Sequence, residues 1–347
     1  MPLLTIHHKT VYRYNRPVAF GEHRIMLRPR DSHDQRVLSS SLEISPQPMS
    51  LRWIHDVFGN SVAIATFDER AQNLSVTSMA TVEHNPAEEF ALTPDDAAYF
   101  YPFLYDREEF PDLQQFIAPQ YGDPNGELSA WARQFLDADG PTPTFNILSG
   151  MTHGIREAFT YRKRHEHGTQ HPLDTLQTGS GTCRDYAMFM IEALRRLGIA
   201  ARFVSGYLFI PGDSAHGYVG GGSTHAWVQV YLPSAGWIEF DPTNGIVGTR
   251  DLIRVAVARD PRQAVPVHGC YLGSADAYVG MEIGINVVSV GDEESEARSD
   301  EAPADIAKTV AIKADRHVGL GNDALGADDV GEARRMDREH DHHRRRL

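Results

Sequence analysis

Residues 179–198 read Gly-Ser-Gly-Thr-Cys-Arg-Asp-Tyr-Ala-Met-Phe-Met-Ile-Glu-Ala-Leu-Arg-Arg-Leu-Gly. The first four residues are small or flexible and are typical of a loop. From Cys183 onward, apolar residues recur at helical spacing as far as Gly198, a residue type that commonly ends helices. The apolar residues on this face are Tyr186, Ala187, Met190, Ile191, Leu194 and Leu197. The stretch therefore predicts a buried amphipathic helix with Cys183 in its first turn.

A cysteine at the start of a helix has a chemical consequence. The free backbone N–H groups and the positive end of the helix dipole favour an anion there, and the reactive form of cysteine is the thiolate anion. The alternative is a buried structural cysteine that happens to begin a helix, and this stretch alone does not decide between the two.

The sequence downstream supplies candidate partners for a reactive thiol. Residues 223–232 form a predicted strand with His225 near its start, and residues 237–243 form a second strand that carries Asp241. A cysteine on a helix, followed by a histidine and an aspartate on a hairpin, is the layout of a nucleophile, its base and the group that orients the base.

The hairpin register tests this layout. If loop 233–236 were a plain four-residue turn, His225 and Asp241 would lie on opposite faces of the hairpin. If Tyr231 faces Trp237 instead, the two side chains are diagonal neighbours on one face, roughly 7–8 Å apart. The catalytic hypothesis therefore predicts an odd-numbered loop or a bulge.

Four motifs in order carry a family resemblance: Gly-Thr-Cys-Arg-Asp-Tyr-Ala at 181–187, Ala-Arg-Phe-Val-Ser-Gly-Tyr at 201–207, Thr-His-Ala-Trp-Val at 224–228 and Asp-Pro-Thr-Asn at 241–244. Together they closely resemble the transglutaminase-like core, a branch of the papain-like fold. The N-terminal stretch resembles the domain that precedes this core in bacterial members. The resemblance spans about residues 1–290 and is specific for the family, not for a substrate.

The resemblance implies covalent thiol chemistry on an amide or related acyl bond. Cys183 attacks and forms a thioester, His225 moves the proton, and Asp241 orients the imidazole. The backbone N–H of Cys183 is the natural oxyanion donor at the helix start. Gln177, at a spacing that resembles papain, and Tyr161 are equal candidates for a second donor.

Three functions are compatible with these residues. The first is a cysteine peptidase or amidase acting on peptide or isopeptide bonds, and the second is an acyltransferase in which an amine resolves the thioester. The third is a binding module that kept the fold without catalysis, which the presence of all three residue types disfavours. Trp227 either packs around the hairpin or forms a wall of the substrate cleft.

The charge, apolar runs and cysteine count of the whole chain argue against several other classes of protein. Its formal net charge of −14 argues against a nucleic-acid partner. Its opening residues lack the pattern of a signal peptide, and no apolar run is long enough to cross a bilayer. Two cysteines, Cys183 and Cys270, do not form a disulfide framework, so we predict a cytoplasmic protein without membrane association. The oligomeric state is left open.

No cofactor and no metal site are predicted. His165, His167 and His171 are clustered, but no set of Cys, Asp or Glu completes a zinc site. No acidic loop of the EF-hand type is present, so calcium activation has no support. The expected partner is a peptide or protein substrate.

The predicted fold class is α+β, with four segments. Short alternating strands predict an antiparallel β-sandwich over 1–85, and proline and aromatic residues mark a connector over 86–125. The transglutaminase-like core, a Cys-bearing helix packed on an antiparallel sheet that bears His and Asp, is assigned to 126–290. The acidic tail, 291–347, is predicted to be disordered. The glycine-rich stretch 211–222 is either a gate for the cleft or an ordinary surface loop.

Overall fold

The structure is a computed structural model that describes residues 2–86, 91–162, 168–210, 219, 221–290 and 310–313. The fold is α+β, as predicted, with one large antiparallel sheet and a second, five-stranded sheet that carries helices. In chain order the strands are β1 (Leu3–Ile25), β2 (Gln35–Ser45), β3 (Ser50–His55), β4 (Ser61–Thr66), β5 (Arg70–His84), β6 (Phe100–Tyr101), β7 (Thr142–Pro143), β8 (Thr160–Tyr161), β9 (Ser180–Gly181), β10 (Ala201–Leu208), β11 (His225–Leu232), β12 (Gly236–Asp241), β13 (Ile246–Val247), β14 (Leu252–Ala258), β15 (Val267–Leu272), β16 (Tyr278–Ser289) and β17 (Val310–Lys313). The helices are α1 (Phe110–Ile117), α2 (Glu127–Arg133), α3 (Thr144–Ala158), α4 (Pro172–Thr178) and α5 (Cys183–Arg196). Among the described residues, no helix combines the length and the apolar character that crossing a membrane requires.

The N-terminal sheet is organised around the 23-residue strand β1. Its first half pairs with β5 on one side and β16 on the other, and its second half pairs mainly with β15 and β4. Register shifts between these halves bend the strand, which lets the sheet enclose its own small core. The buried residues of that core come from β1 and from the segments around it: Tyr14, Val18, Phe20, Ile25, Leu27, Ile44, Ala63, Ala65, Leu74, Val76 and Ala277.

Strands from the far end of the chain complete this sheet. Leu4 pairs with Ser289 and Ile25 pairs with Val267, so β15 and β16 belong to the N-terminal sheet rather than to the core segment 126–290 in which the sequence placed them. An alternating strand pattern reports burial on one face but does not identify the partner strand. Of the tail predicted to be disordered, only 310–313 are described, and they pair with β16. The rest of 291–347 lies outside the described residues.

The five-stranded sheet has the order β13-β12-β11-β10-β14, and α5 packs on its central strands. Ala226, Val228 and Val230 of β11 share one buried cluster with the apolar residues of α5. Nearly every residue of this helix is buried, including the polar residues Asp185, Glu192 and Arg195, so the helix is enclosed more completely than a one-sided apolar pattern requires. The helix therefore holds Cys183 rigidly against the sheet that carries His225 and Asp241.

The aromatic connector packs on the catalytic core. The Tyr101 hydroxyl donates to the Leu197 carbonyl at 3.0 Å, and the Tyr105 hydroxyl accepts from the Ala200 N–H at 2.7 Å. Both contacts lie at the C-terminal end of α5, where carbonyl and N–H groups lack helical partners. The connector thus completes the hydrogen bonding of the loop between α5 and β10.

Two side-chain amides attach the N-terminal sheet to the edge strand β14. Gln35 donates to the Arg254 carbonyl at 2.9 Å and accepts from the Arg254 N–H at 2.9 Å. Asn60 does the same at Val257, donating at 2.7 Å and accepting at 2.9 Å. Each amide supplies the donor and acceptor that a neighbouring strand would supply, so the edge is covered without another strand.

A buried histidine lies at the same junction. His8 of β1 is 1% exposed, and its ring nitrogens contact the Tyr207 hydroxyl at 3.0 Å and the Thr10 hydroxyl at 2.8 Å. Burial, followed by the neighbouring His7, lowers the pKa of His8 to about 3. Both partners are neutral, so nothing compensates the imidazolium for the loss of water.

We predict that His8 makes the protein acid-sensitive. Below pH about 6.5 the unfolded chain binds a proton at His8, whereas the folded chain binds it only near pH 3. The free energy of unfolding therefore falls as the pH falls through this window, by roughly 2 kcal/mol at pH 5. The free energy of unfolding in urea at pH 7.5 and 5.0 should therefore fall less in His8→Asn than in the wild type.

The exposed neighbour His7 provides the control, because His7→Asn should leave the acid loss of the wild type largely unchanged. An equal loss in His8→Asn and the wild type would contradict the assignment.

Candidate active site

The start of α5 is fixed by a buried aspartate. Asp185 Oδ2 accepts from the Thr182 N–H at 2.7 Å and from the Thr182 hydroxyl at 2.8 Å, and Oδ1 accepts from the Gln170 N–H at 2.7 Å. A Cβ atom on Gly181 would lie 2.8 Å from the Asp185 Cβ, so only glycine allows this close approach. Asp185 thus fixes the helix start, and with it the position of Cys183.

Cys183 is the first residue of α5 and is 7% exposed. The helix has 14 residues, and the backbone N–H groups of its first turn have no carbonyl of a preceding helical turn to donate to. A helix start of this kind favours an oxygen that develops negative charge beside it.

The hairpin has the register that the catalytic hypothesis required. Tyr231 pairs with Trp237 and Leu232 with Gly236, which leaves a three-residue loop. Consequently His225 and Asp241 lie on one face, and His225 Nε2 is 2.7 Å from Asp241 Oδ2. Both side chains are completely buried. The predicted odd loop is confirmed.

The mutual attraction of His225 and Asp241 affects their pKa values more strongly than burial does. Burial alone lowers the pKa of His225, but the Asp241 carboxylate, and then Cys183, raise it to about 10. Burial likewise raises the pKa of Asp241, whereas His225, Asn244 and the Thr243 N–H lower it, and the net pKa is below the usual value. The favoured state at neutral pH is therefore an imidazolium beside a carboxylate.

The ring orientation assigns a task to each nitrogen. Nε2 faces the Asp241 carboxylate and donates to it, which leaves Nδ1 as the nitrogen that can exchange a proton with another group. Nδ1 is buried, and within the described part of the chain no closer partner than Cys183 is available to it, because Cys183 is the group after Asp241 that raises the pKa of the ring. The structure thus brings Cys183, His225 and Asp241 together.

The two candidates for the second oxyanion donor are placed differently. The pKa of Tyr161 is raised by burial and then by the charge of Cys183. The Tyr161 hydroxyl therefore lies beside the thiol. Gln177 is exposed on α4, and its amide donates to Glu127 at 3.2 Å, so it does not reach the site. The six-residue spacing between Gln177 and Cys183 did not predict the position of the amide correctly, because α4 directs Gln177 away from the thiol.

Trp227 lies behind the imidazole rather than along an open cleft. It is fully buried, and its ring stacks on His225 with centroids 6.1 Å apart and planes at 27°. Gly206 provides room for this ring, because a Cβ there would lie 2.6 Å from the indole and 2.1 Å from the Ile253 carbonyl oxygen. The cleft-wall hypothesis for Trp227 is wrong, since the side chain has no accessible surface.

Asn244 belongs to the site although the sequence analysis assigned it no task. It is 5% exposed, and its Nδ2 donates to Asp241 Oδ2 at 2.8 Å. The signal was present in the motif Asp-Pro-Thr-Asn at 241–244, since an amide three residues after a buried carboxylate can donate to it.

No metal cluster accompanies these residues. Among the side chains that the structure describes, no group of three or more His, Cys, Asp and Glu is placed to hold a metal ion. His165 and His167 lie outside the described residues, as does most of the glycine-rich stretch 211–222.

Comparison with known protein families agrees with this geometry. The profile of the bacterial transglutaminase-like N-terminal region matches residues 4–83, and that of the transglutaminase-like superfamily matches residues 130–242. This chain belongs to the transglutaminase-like superfamily. The match to the core includes Cys183, His225 and Asp241.

Similar proteins cover different shares of the chain. An uncharacterized protein of Mycobacterium leprae is 29% identical over 281 residues, which is 80% of this chain and 96% of the relative. A protein-glutamine gamma-glutamyltransferase of Pseudomonas aeruginosa is 32% identical over 136 residues, which is 38% of this chain and 20% of that protein. A crystal structure of a candidate cysteine protease from Cytophaga hutchinsonii has the same fold, with a TM-score of 0.59, 19% identity, and coverage of 83% of this chain and 91% of its own.

We predict that Gly206→Ala destabilises the site by at least about 2 kcal/mol, because the added methyl group would collide with backbone as well as with Trp227. The free energy of unfolding in urea measures this. Gly284→Ala is the matched control, since a Cβ there has no atom within 4 Å and the change should be close to neutral. Equal effects of the two substitutions would contradict the packing described.

Proposed function

We propose that this protein is a thiol-dependent amide-bond enzyme that acts through a thioester acyl-enzyme, as a cysteine peptidase or amidase on peptide or isopeptide bonds. The observation that supports it is the buried pair of His225 and Asp241, 2.7 Å apart, with the second ring nitrogen left for Cys183. A buried ion pair with one free proton-exchanging nitrogen beside a thiol is suited to nucleophilic catalysis.

The steps use the three groups in turn. The Cys183 thiolate attacks the carbonyl carbon, and the tetrahedral intermediate then collapses with cleavage of the C–N bond. His225 Nδ1 gives its proton to the leaving nitrogen, which departs as an amine. Water attacks the thioester, His225 Nδ1 accepts the water proton, and collapse releases the carboxylic acid and restores the Cys183 thiolate beside the His225 imidazolium. Asp241 keeps Nε2 protonated and the ring oriented throughout.

Two donors are available to the oxyanion. The Cys183 N–H lies at the start of α5, where no helical carbonyl accepts it. The Tyr161 hydroxyl is the second donor in this proposal, because it lies beside Cys183 and, like any tyrosine hydroxyl, is protonated at neutral pH. Tyr161 is held in place by the pairing of β8 with β9, which directly precedes Cys183.

Acyl transfer to an amine is the second candidate function. The similarity to a protein-glutamine gamma-glutamyltransferase favours it. The same thioester would form, and an amine in place of water would attack it, so the groups described above serve both reactions. The difference lies in which nucleophile reaches the acyl-enzyme.

We predict that Cys183 reacts rapidly with iodoacetamide between pH 6 and 9, because the His225 imidazolium, with a pKa of about 10, stabilises the thiolate across this range. In His225→Ala the labelling rate should fall near neutrality and rise through pH about 8.5, as for an ordinary thiol. Mass spectrometry of the labelled peptide gives the rate.

A Cys270→Ser background confines labelling to Cys183, because these are the two cysteines of the chain. His55→Ala, an exposed histidine outside the site, is the control and should label like the wild type. Wild-type labelling that follows an ordinary thiol would overturn the proposal and favour a binding module.

We predict further that a library of glutamine-containing and isopeptide-linked peptides yields hydrolysed products, whether or not a primary amine is added. Product masses distinguish the reactions, since hydrolysis adds water across the bond and transfer joins the amine to the acyl group. Cys183→Ala is the control and should give neither product. Products that appear only with the amine would replace the hydrolase by the transferase.

A further inference from the structure

Asn244 connects two chain segments at the candidate site. Its Nδ2 lies 2.8 Å from Asp241 Oδ2 and 3.2 Å from the Val219 carbonyl, and its Oδ1 accepts from the Val219 N–H at 2.7 Å. Nδ2 is also 3.4 Å from His225 Nε2. At 5% exposure, this amide has little access to water that could replace these partners.

The bond to Asp241 completes the hydrogen bonding of a buried carboxylate. Oδ2 accepts from His225 and Asn244, and Oδ1 accepts from the Thr243 N–H at 2.8 Å. A buried carboxylate that loses a donor is left with unsatisfied charge, which shifts it or favours its protonation. Asn244 therefore affects how firmly the carboxylate is held at His225.

The bonds to Val219 fix the approach of the chain to β11. The amide contacts both the N–H and the carbonyl of this residue, as a neighbouring strand would. Val219 precedes His225 by a few residues in the chain, so one side chain contacts both Val219 and the carboxylate of Asp241.

We propose that Asn244 is a positioning residue that aligns His225 and Asp241 by donating to the carboxylate while it holds Val219. The proposal rests on the proposed function, because the reactivity of Cys183 reports the alignment. Among the described residues, the titratable groups that face this cluster are His225 from β11, Asp241 from β12 and Cys183 from α5. From α3, Arg156 and His153 lie against Gly245, 2.9 and 3.2 Å from the position of a Cβ there.

Asn244→Asp tests the donor specifically. The substitution preserves shape and the acceptor for the Val219 N–H, but an ionised carboxylate cannot donate to Asp241. Two adjacent buried carboxylates share a proton at low pH, and the protonated form regains an O–H donor. Labelling of Cys183 by iodoacetamide should therefore be about tenfold slower than in the wild type at pH 8.0 and largely recover at pH 5.5.

Two variants complete the experiment. Asn244→Ala lacks the donor at every pH and should be slow at both, whereas Asn286→Asp, at an exposed position of β16, should match the wild type. The thermal unfolding midpoint of each variant in the same buffers shows whether it is folded. A folded Asn244→Asp variant whose pH profile parallels the wild type would overturn the proposal.

Amide hydrogen exchange at Val219 provides a readout independent of the thiol. Exchange should accelerate in Asn244→Ala and stay slow in Asn244→Asp, which keeps the acceptor. Unchanged exchange in Asn244→Ala would refute the link to Val219. If wild-type Cys183 labels like an ordinary thiol, the proposed function fails, and exchange at Val219 still tests the link.

Discussion

The ion pair between His225 and Asp241 is the interaction on which the site depends. Both groups are completely buried, and burial opposes the charged form of each. Their mutual attraction prevails because the two side chains meet at 2.7 Å and the remaining carboxylate oxygen accepts from the Thr243 N–H. A partner misplaced by even one residue in the hairpin would leave an unpaired charge in the interior.

A comparison of two histidines shows that the partner, and not burial, decides the charge. His8 and His225 are each about 1% exposed. His8 meets the hydroxyls of Thr10 and Tyr207, and its pKa falls to about 3 through burial, whereas Asp241 raises that of His225 to about 10. One imidazole is therefore a neutral connector between the sheets, and the other is a cation held beside a carboxylate.

Local patterns predicted much of the site, and contacts between distant segments account for the rest. The periodicity after Cys183 identified α5, and strand alternation required the odd loop that the structure contains. Gln177 was misplaced because a fixed spacing says nothing about the direction of a short helix such as α4. The contact between Asn244 and Val219 joins two separate segments of the chain, and a periodic pattern of residues does not predict such contacts. The strands β15 and β16 fall within the segment that the sequence assigned to the core, but their pairing partner β1 lies at the opposite end of the chain.

The closure of the N-terminal sheet by β15 and β16 has a consequence for biosynthesis. As the nascent chain leaves the ribosome, β1 emerges early, while one of its two long pairing edges waits for a strand that is synthesised after the entire catalytic core. Pairings between such distant segments form slowly, and an exposed strand edge invites association with other chains in the meantime. The active-site sheet can assemble before that edge is closed, so the thiol, imidazole and carboxylate can meet while the N-terminal sheet still depends on residues that have yet to be translated.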